Sequence, residues 1–412
     1  MPREKRTLGT FASFAHRDYR YFFGGSLISN TGTWMQNVAL GWLVFELTHS
    51  STKVGMVNFL AGIPVIFLFM LTGVLSDHLD RRRLIIIGQV LLMVQAAAFG
   101  LLYQTHAITL PWVWGLTLLG GIVSAFMFPA WQAMVPDLVP RSELLNAIAL
   151  SSAQFNGARL VGPMVFAAVY AALGMSRVFY VNAVSFLFVI GALAVIRPLQ
   201  QHHDRPVESA WRTVSAGLNY VREHRHIGIH LLSVAMISFF GLPFSTLLPG
   251  LASASLGLAG TGYSVLVGFN GMGALIGALA VASLPRTVAR ESIIRYGILV
   301  LAGGIIALAF SHHFALSAAI LVVMGAAFLA ANSSLNTNLQ TAVPAPLRGR
   351  VMSLFVLAFM GMMPFSALAF GALGDAIGDA NALLIGAAAL LVYAVVLLAR
   401  PGLLCESTPE PS

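Results

Sequence analysis

The stretch GVLSDHLDRRRLI, Gly73 to Ile85, gathers two Asp, one His and three Arg into one short segment of a chain in which only 9% of residues are charged. Apolar runs of about twenty residues flank it, the length a helix needs to cross a hydrocarbon core of roughly 30 Å. A loop joining two membrane spans accounts for both facts. Charge is costly inside the spans and collects where the chain meets water.

The rest of the chain repeats this pattern. Of its 412 residues, 58% are hydrophobic and the mean hydropathy is +0.84, whereas a water-soluble domain carries about 25% charged residues. The period-two alternation of a membrane barrel is not visible, which leaves a helical bundle. Twelve spans are expected, at 20–46, 55–75, 84–104, 111–135, 144–172, 178–196, 228–250, 262–284, 293–311, 315–340, 351–373 and 381–399. The basic segment Met1 to Arg20 precedes a first span too long and polar-studded for a cleaved signal peptide, so that span is read as retained.

Charge sets the orientation. With the N-terminus in the cytoplasm, every one of the 23 Lys and Arg except Lys53, Arg159 and Arg177 falls on the cytoplasmic side. This is the positive-inside pattern. It predicts a multi-pass membrane protein with both termini cytoplasmic. The net charge of +8 then reports topology, and no nucleic-acid partner is expected. The single Cys405 excludes an intrachain disulfide or a cysteine metal cluster. The His pairs 202–203 and 312–313 fall in loops without further ligands, so no metal is expected. The chain reads as a monomer in the bilayer, without a cofactor.

The longest polar interruption divides the chain into a six-helix bundle over 1–196, a cytoplasmic linker over 197–227, and a second bundle with a short tail over 228–412. Within the linker Trp211, Val214, Leu218 and Val221 recur at helical spacing against Arg212, Asn219 and Arg222. That pattern reads as an amphipathic surface helix or, alternatively, a solvated linker. The halves echo each other. Gln132-Ala-Met-Val-Pro136 matches Gln340-Thr-Ala-Val-Pro344, and Ala172-Leu-Gly174 matches Ala372-Leu-Gly374. Such a duplication is the plan of transporters whose two bundles rock about a midplane site.

Gly73-x-Leu75-x-Asp77, followed by Arg81, Arg82 and Arg83 between the second and third spans, resembles the loop signature of the major facilitator superfamily. The resemblance implies an all-α polytopic membrane fold of 12 transmembrane helices in two pseudo-symmetric six-helix bundles. It also implies a gate. The Gly permits close packing at a tight turn, the Asp engages the positive N-terminal end of the eleventh span, and the basic residues bridge neighbouring helix ends. On this sequence the gate is Gly73, Asp77, Arg81 and Arg82, facing the region Arg350–Ser353. His78 stands where the superfamily usually has Arg and puts one bridge under pH control. Asp80 replaces a usual Gly and has Arg neighbours to pair with.

Further segments resemble the bacterial enterobactin-exporter and macrolide-efflux branch of drug:proton antiporters. These are Arg17-Asp-Tyr-Arg20, Gly32-Thr-Trp-Met-Gln36, Glu46-Leu-Thr48, Val135-Pro136, Arg159-Leu-Val-Gly-Pro163 and Arg348-Gly-Arg350-Val-Met-Ser353. Gly162-Pro163 resembles the glycine-proline motif that exporters of the superfamily carry in their fifth helix.

Arg159 is the chief site candidate. It lies about 15 residues into the fifth span, roughly 22 Å along a helix rising ~1.5 Å per residue. An Arg at that depth costs roughly 2.5–3.5 kcal/mol on insertion scales, so it requires a wet cavity or a polar partner. Ser152, Asn156, Arg159 and Pro163 share one helical face. Asn30, Trp34 and Asn37 share a face of the first span, and Asn332, Asn336 and Gln340 form a stripe on the tenth. Each stripe lines a cavity or bonds a neighbouring helix. Phe126, Trp131, Phe239 and Phe244 read as cavity walls or as packing. Glu46 and Asp77 are the candidates for proton coupling. Asp375 and Asp379 read as loop residues.

The chain's Lys residues, Lys5 and Lys53, stand outside any phosphate-binding loop, so uphill transport must draw on an ion gradient, by resemblance a proton gradient. The expected function is secondary active export of a small amphipathic molecule, drug-like or siderophore-like, by alternating access. Import or facilitation of a lipid or metabolite is the alternative. An intramembrane enzyme would need converging acid–base or metal-binding residues at membrane depth, which the spans do not supply, and a non-transporting receptor is the other remote reading. Arg159 within an aromatic, Met-rich bundle favours a substrate carrying negative charge over a cationic dye.

Overall fold

A computed structural model describes residues 11–76, 80–196, 210–285 and 288–404; Asp77 and His78 of the expected gate lie outside them. The described chain is helical: α1 (Arg17–Thr48), α2 (Ser51–Ser76), α3 (Arg81–Gln104), α4 (Leu110–Met134), α5 (Leu144–Leu173), α6 (Met175–Val195), α7 (Ala210–Glu223), α8 (Arg225–Met236), α9 (Phe244–Ala254), α10 (Gly260–Ser283), α11 (Arg290–Ala309), α12 (Phe314–Ala342), α13 (Ala345–Ile377) and α14 (Asp379–Ala399). Among the described residues, eleven stretches are long and apolar enough to cross a membrane, α8 and α9 together forming one of them. The expected twelfth span is α1. At 32 residues it is long enough, but Asn30, Gln36 and Asn37 at its centre keep it less apolar than the others.

The helices form two compact units. One contains Met1–Asn37 and Phe67–Pro206, the other Val38–Ile66 and Val207–Ser412. α1 and α2 therefore each pass from one unit into the other along their length.

In the first unit α3 packs on α4 and α6, and α5 on α6. Of the polar residues that lower the hydropathy of α1, Gln36 serves as glue between helices. Asn182 Nδ2 on α6 donates to Gln36 Oε1 at 2.8 Å, and Ser185 Oγ donates to Asn182 Oδ1 at 3.0 Å. Gln154 Nε2 on α5 donates to the Phe23 carbonyl at 3.1 Å. Around Tyr19 and Phe22, an apolar core takes in Ile85, Met134 and Leu193.

In the second unit α10, α11, α12 and α14 pack side by side. Gly273 and Gly277 on α10 lie against the Val322 and Ala326 carbonyls of α12. Any side chain there would collide with backbone, so these small residues set the helix spacing. α8 and α9 are joined by a π-helical turn over Ile237–Gly241. Such a turn loosens the backbone hydrogen-bond ladder, and Ser366 Oγ on α13 donates to the Phe239 carbonyl at 2.6 Å. The expected amphipathic helix is α7, which packs on α13 with Gly217 against the Arg350 backbone.

The internal repeat is visible in the backbone, with one correction. Val135-Pro136 and Val343-Pro344 follow α4 and α12 as expected. The glycine equivalent to Gly174 is Gly378 rather than Gly374. Gly174 has φ +83° and Gly378 has φ +90°, and each ends one helix and opens the next. Only glycine adopts that left-handed conformation without strain.

Candidate functional site

Arg159 projects from the middle of α5, and its guanidinium carbon lies 5.6 Å from the centroid of the Trp34 ring on α1. Phe155, one turn earlier on α5, meets the same indole edge-on at 5.8 Å. A planar cation on an indole face is favourable, and more so away from bulk water. The reason these helices approach so closely is Gly162. A Cβ there would sit 2.5 Å from Trp34 Cβ and 2.9 Å from the Thr31 carbonyl. Gly162 and the buried Pro163 thus do local work: they seat α5 on the backbone of α1 and hold Trp34 beneath Arg159.

The other sequence candidates divide. On the Trp34 face of α1, Asn30 is half-buried and Asn37 exposed. Asn156 donates to the Ser152 carbonyl of its own helix at 2.9 Å. Asn332 and Asn336 belong to the other unit, on α12. Asn332 Oδ1 is buried with no hydrogen-bond partner among the described residues, and Asn336 Oδ1 accepts from Gln340 Nε2. Of the aromatic candidates, Trp131 packs against Phe22 at 5.2 Å, and Phe239 packs against Phe240 and Phe370. Phe244 is core. Glu46 is exposed in the last turn of α1.

Part of the charged loop is described. Gly73 lies in the closing turns of α2. Asp80 caps α3, its Oδ1 accepting from the Arg82 and Arg83 N–H groups at 3.0 and 3.3 Å, and its Oδ2 lies 3.5 Å from the Arg83 guanidinium. Arg81 pairs with Asp137, after α4, at 3.0 Å. Arg82 donates to the Ala194 carbonyl near the end of α6 at 2.7 Å. The basic residues thus clamp the ends of α3, α4 and α6 within the first unit.

Sequence reasoning missed a second polar centre. Asp375 and Asp379 are not loop residues: Asp375 stands in the last turn of α13, and Asp379 opens α14. Together they hold the beginning of α2. Asp375 Oδ1 accepts from the Ser51 N–H at 2.7 Å, and its Oδ2 accepts from the Thr52 N–H at 3.2 Å and from Ser50 Oγ. Ser51 Oγ donates to Asp379 Oδ1 at 2.7 Å. Ser50 Oγ itself accepts from the Lys53 N–H at 3.3 Å. The first N–H groups of a helix have no partner within it. Here a carboxylate more than 320 residues away supplies two of them, at the end where the helix dipole favours negative charge. The readable clue was Ser50-Ser51-Thr52, a capping run directly after α1.

Comparison with known proteins places this arrangement. The transmembrane secretion effector family model matches residues 8–406. A staphyloferrin A transporter of Staphylococcus aureus is 23% identical over 362 residues, 87% of this chain and 90% of that protein. The multidrug efflux pump Tap of Mycolicibacterium fortuitum is 25% identical over 388 residues, 92% and 94% of the two chains. Among solved structures, a POT family transporter in complex with 5-aminolevulinic acid shares the fold with a TM-score of 0.77 at 11% identity, over 94% of this chain and 97% of that one. With a family match running across nearly its whole length, the chain belongs to the transmembrane secretion effector family of the major facilitator superfamily, and it is a multi-pass membrane transporter of small molecules, not an enzyme.

Proposed function

We propose that this protein is a proton-driven exporter of the bacterial inner membrane, moving small amphipathic molecules that carry negative charge. The observation that carries this reading is the Arg159 guanidinium held on the Trp34 ring in the middle of α5. A fixed cation at that depth attracts an anionic group, and the flanking Trp34 and Phe155 offer flat apolar surface to an aromatic body. Two relatives support the assignment, one named a multidrug efflux pump and the other a staphyloferrin A transporter. Export rather than import rests on the efflux relative and on Gly162-Pro163.

In an alternating-access cycle the bound anion displaces part of the Arg159–Trp34 contact. The capped start of α2 is the closure that must part from α13 and α14 on the outer side for release. The loop beginning at Gly73 performs the corresponding task on the cytoplasmic side through Asp77.

The test is efflux from preloaded cells of carboxyfluorescein, chloramphenicol and ethidium as anionic, neutral and cationic probes, with and without a protonophore. Protonophore-sensitive efflux of carboxyfluorescein, lost in Arg159→Ala at normal membrane abundance, is expected. Uptake stimulated by the wild type would reverse the direction. Efflux of ethidium unaffected by anionic competitors would overturn the charge class.

A further inference from the structure

The second unit holds a buried imidazole that neither polar centre uses. His230 on α8 is 3% exposed. Its Nδ1 lies 2.8 Å from the His226 carbonyl, which can only accept, so Nδ1 carries the hydrogen. In the neutral ring that hydrogen leaves the lone pair on Nε2. That lone pair faces Asn338 Nδ2 on α12 at 3.3 Å. The same amide nitrogen donates to Glu291 Oε1, in the first turn of α11, at 3.1 Å. One –NH2 group thus divides its two hydrogens between a buried imidazole and a half-buried carboxylate.

We propose that His230, Asn338 and Glu291 form the proton-binding site that couples transport to the proton gradient. This inference rests on the antiport reading above. Adding a proton to His230 Nε2 turns an acceptor into a donor that faces the N–H of Asn338. The clash resolves by a half-turn of the amide, so that Asn338 Oδ1 accepts from Nε2–H. That rotation withdraws the donor from Glu291, whose carboxylate is left facing an imidazolium across the amide. Binding one proton therefore rewires contacts among α8, α11 and α12, and releasing it restores them. No other reactant is consumed.

The charged groups that act on His230 are His226 on its own helix and Glu291. α12 carries no ionisable side chain. The elements packed on α8 also bring Arg222 and Glu223 from α7 and Arg348 and Arg350 from α13. Tyr393 on α14 is engaged by Ser233 Oγ at 2.7 Å. Glu291 stands in the first turn of α11 and supplies the negative charge that favours the protonated ring.

The decisive experiment follows histidine side-chain resonances of the labelled protein in lipid nanodiscs. The chain has 11 His, and the signal lost in His230→Gln identifies the ring. Its resonances are expected to shift with pH as the ring takes up a proton. Glu291→Gln, which keeps an acceptor for Asn338 but removes the charge, is expected to lower its midpoint by at least about half a pH unit, because the imidazolium loses a stabilising anion. A ring neutral throughout, or a midpoint unmoved by Glu291→Gln, overturns the proposal. In everted vesicles with an acidic lumen, wild type should accumulate carboxyfluorescein. His230→Gln should lose about tenfold of that accumulation yet still exchange internal for external probe. Full gradient-driven accumulation by His230→Gln overturns the proposal and leaves antiport standing. A wild type that exchanges the probe but ignores the gradient overturns the antiport reading and, with it, the proposal.

Discussion

The Arg159–Trp34 pair and the Asp375–Asp379 junction each place charge at a helix contact, yet they are built in opposite ways. Around Asp375 both carboxylate oxygens accept hydrogen bonds from the first residues of α2, and Asp379 is reached by Ser51 Oγ. These groups complete a helix end, and their geometry is satisfied within the protein. Arg159 also rests on the face of an indole, a contact that is non-directional compared with a hydrogen bond. One region joins helices by directed hydrogen bonds, the other by stacking a planar cation on a ring. The two regions should therefore respond differently to mutation.

Removing the cation should have the largest effect. Arg159→Ala is expected to cut carboxyfluorescein efflux at least about tenfold, the size of losing one charge-assisted contact of about 1.5–3 kcal/mol, while thermal stability in detergent hardly changes. Arg159→Lys sharpens the point: a compact ammonium loses the planar stacking, so efflux should fall between alanine and wild type. Equal unfolding by both variants would show the residue to be structural, like the acid pair.

Next comes the contact that sets the pair. Gly162→Val pushes into Trp34 and the Thr31 carbonyl, so α5 and α1 must separate. Efflux is expected to fall several-fold and stability by about 1–3 kcal/mol, as for other overpacked sites. Unchanged efflux in a variant of lowered stability would detach the Trp34 contact from transport.

At the acid junction the expected effect is smaller and structural. Asp375→Ala leaves the Ser51 and Thr52 N–H groups without their carboxylate, a loss comparable to removing a helix cap, about 0.5–2 kcal/mol. Amide hydrogen exchange at the start of α2 should accelerate up to about tenfold, with exchange in α5 unaffected. Acceleration spread evenly over both units would contradict a local cap. The smallest change is Thr52→Val, which removes a 3.3 Å bond to the Gly371 carbonyl and should cost no more than about 1 kcal/mol.

The legibility of these regions follows from how far each depends on distant residues. The spans were readable because lipid imposes a length and a composition on every crossing helix. Arg159 stood out because a charge in an apolar run needs only local context to be noticed. That it would meet Trp34 was not readable, although both residues were candidates, because the meeting depends on Gly162 bringing two helices together. Asp375 and Asp379 were passed over because carboxylates beside a glycine at a span boundary look like solvated turn residues. His230 escaped notice for a related reason: its partners, Asn338 and Glu291, lie 108 and 61 positions further along the chain.

By itself the sequence determined the membrane class, the positions of the helices, the Arg in the middle of an apolar run and the repeat that marks the superfamily. All of these are one-dimensional, set by transfer free energies and local backbone preferences acting on neighbouring residues. The tertiary structure alone decided that the start of α2 is capped by α13 and α14, that Arg159 lies on Trp34, and that His230 reaches Glu291 through an amide. Hydrogen bonds and ring contacts act over a few ångströms in space, and only packing decides which distant parts of the chain come that close.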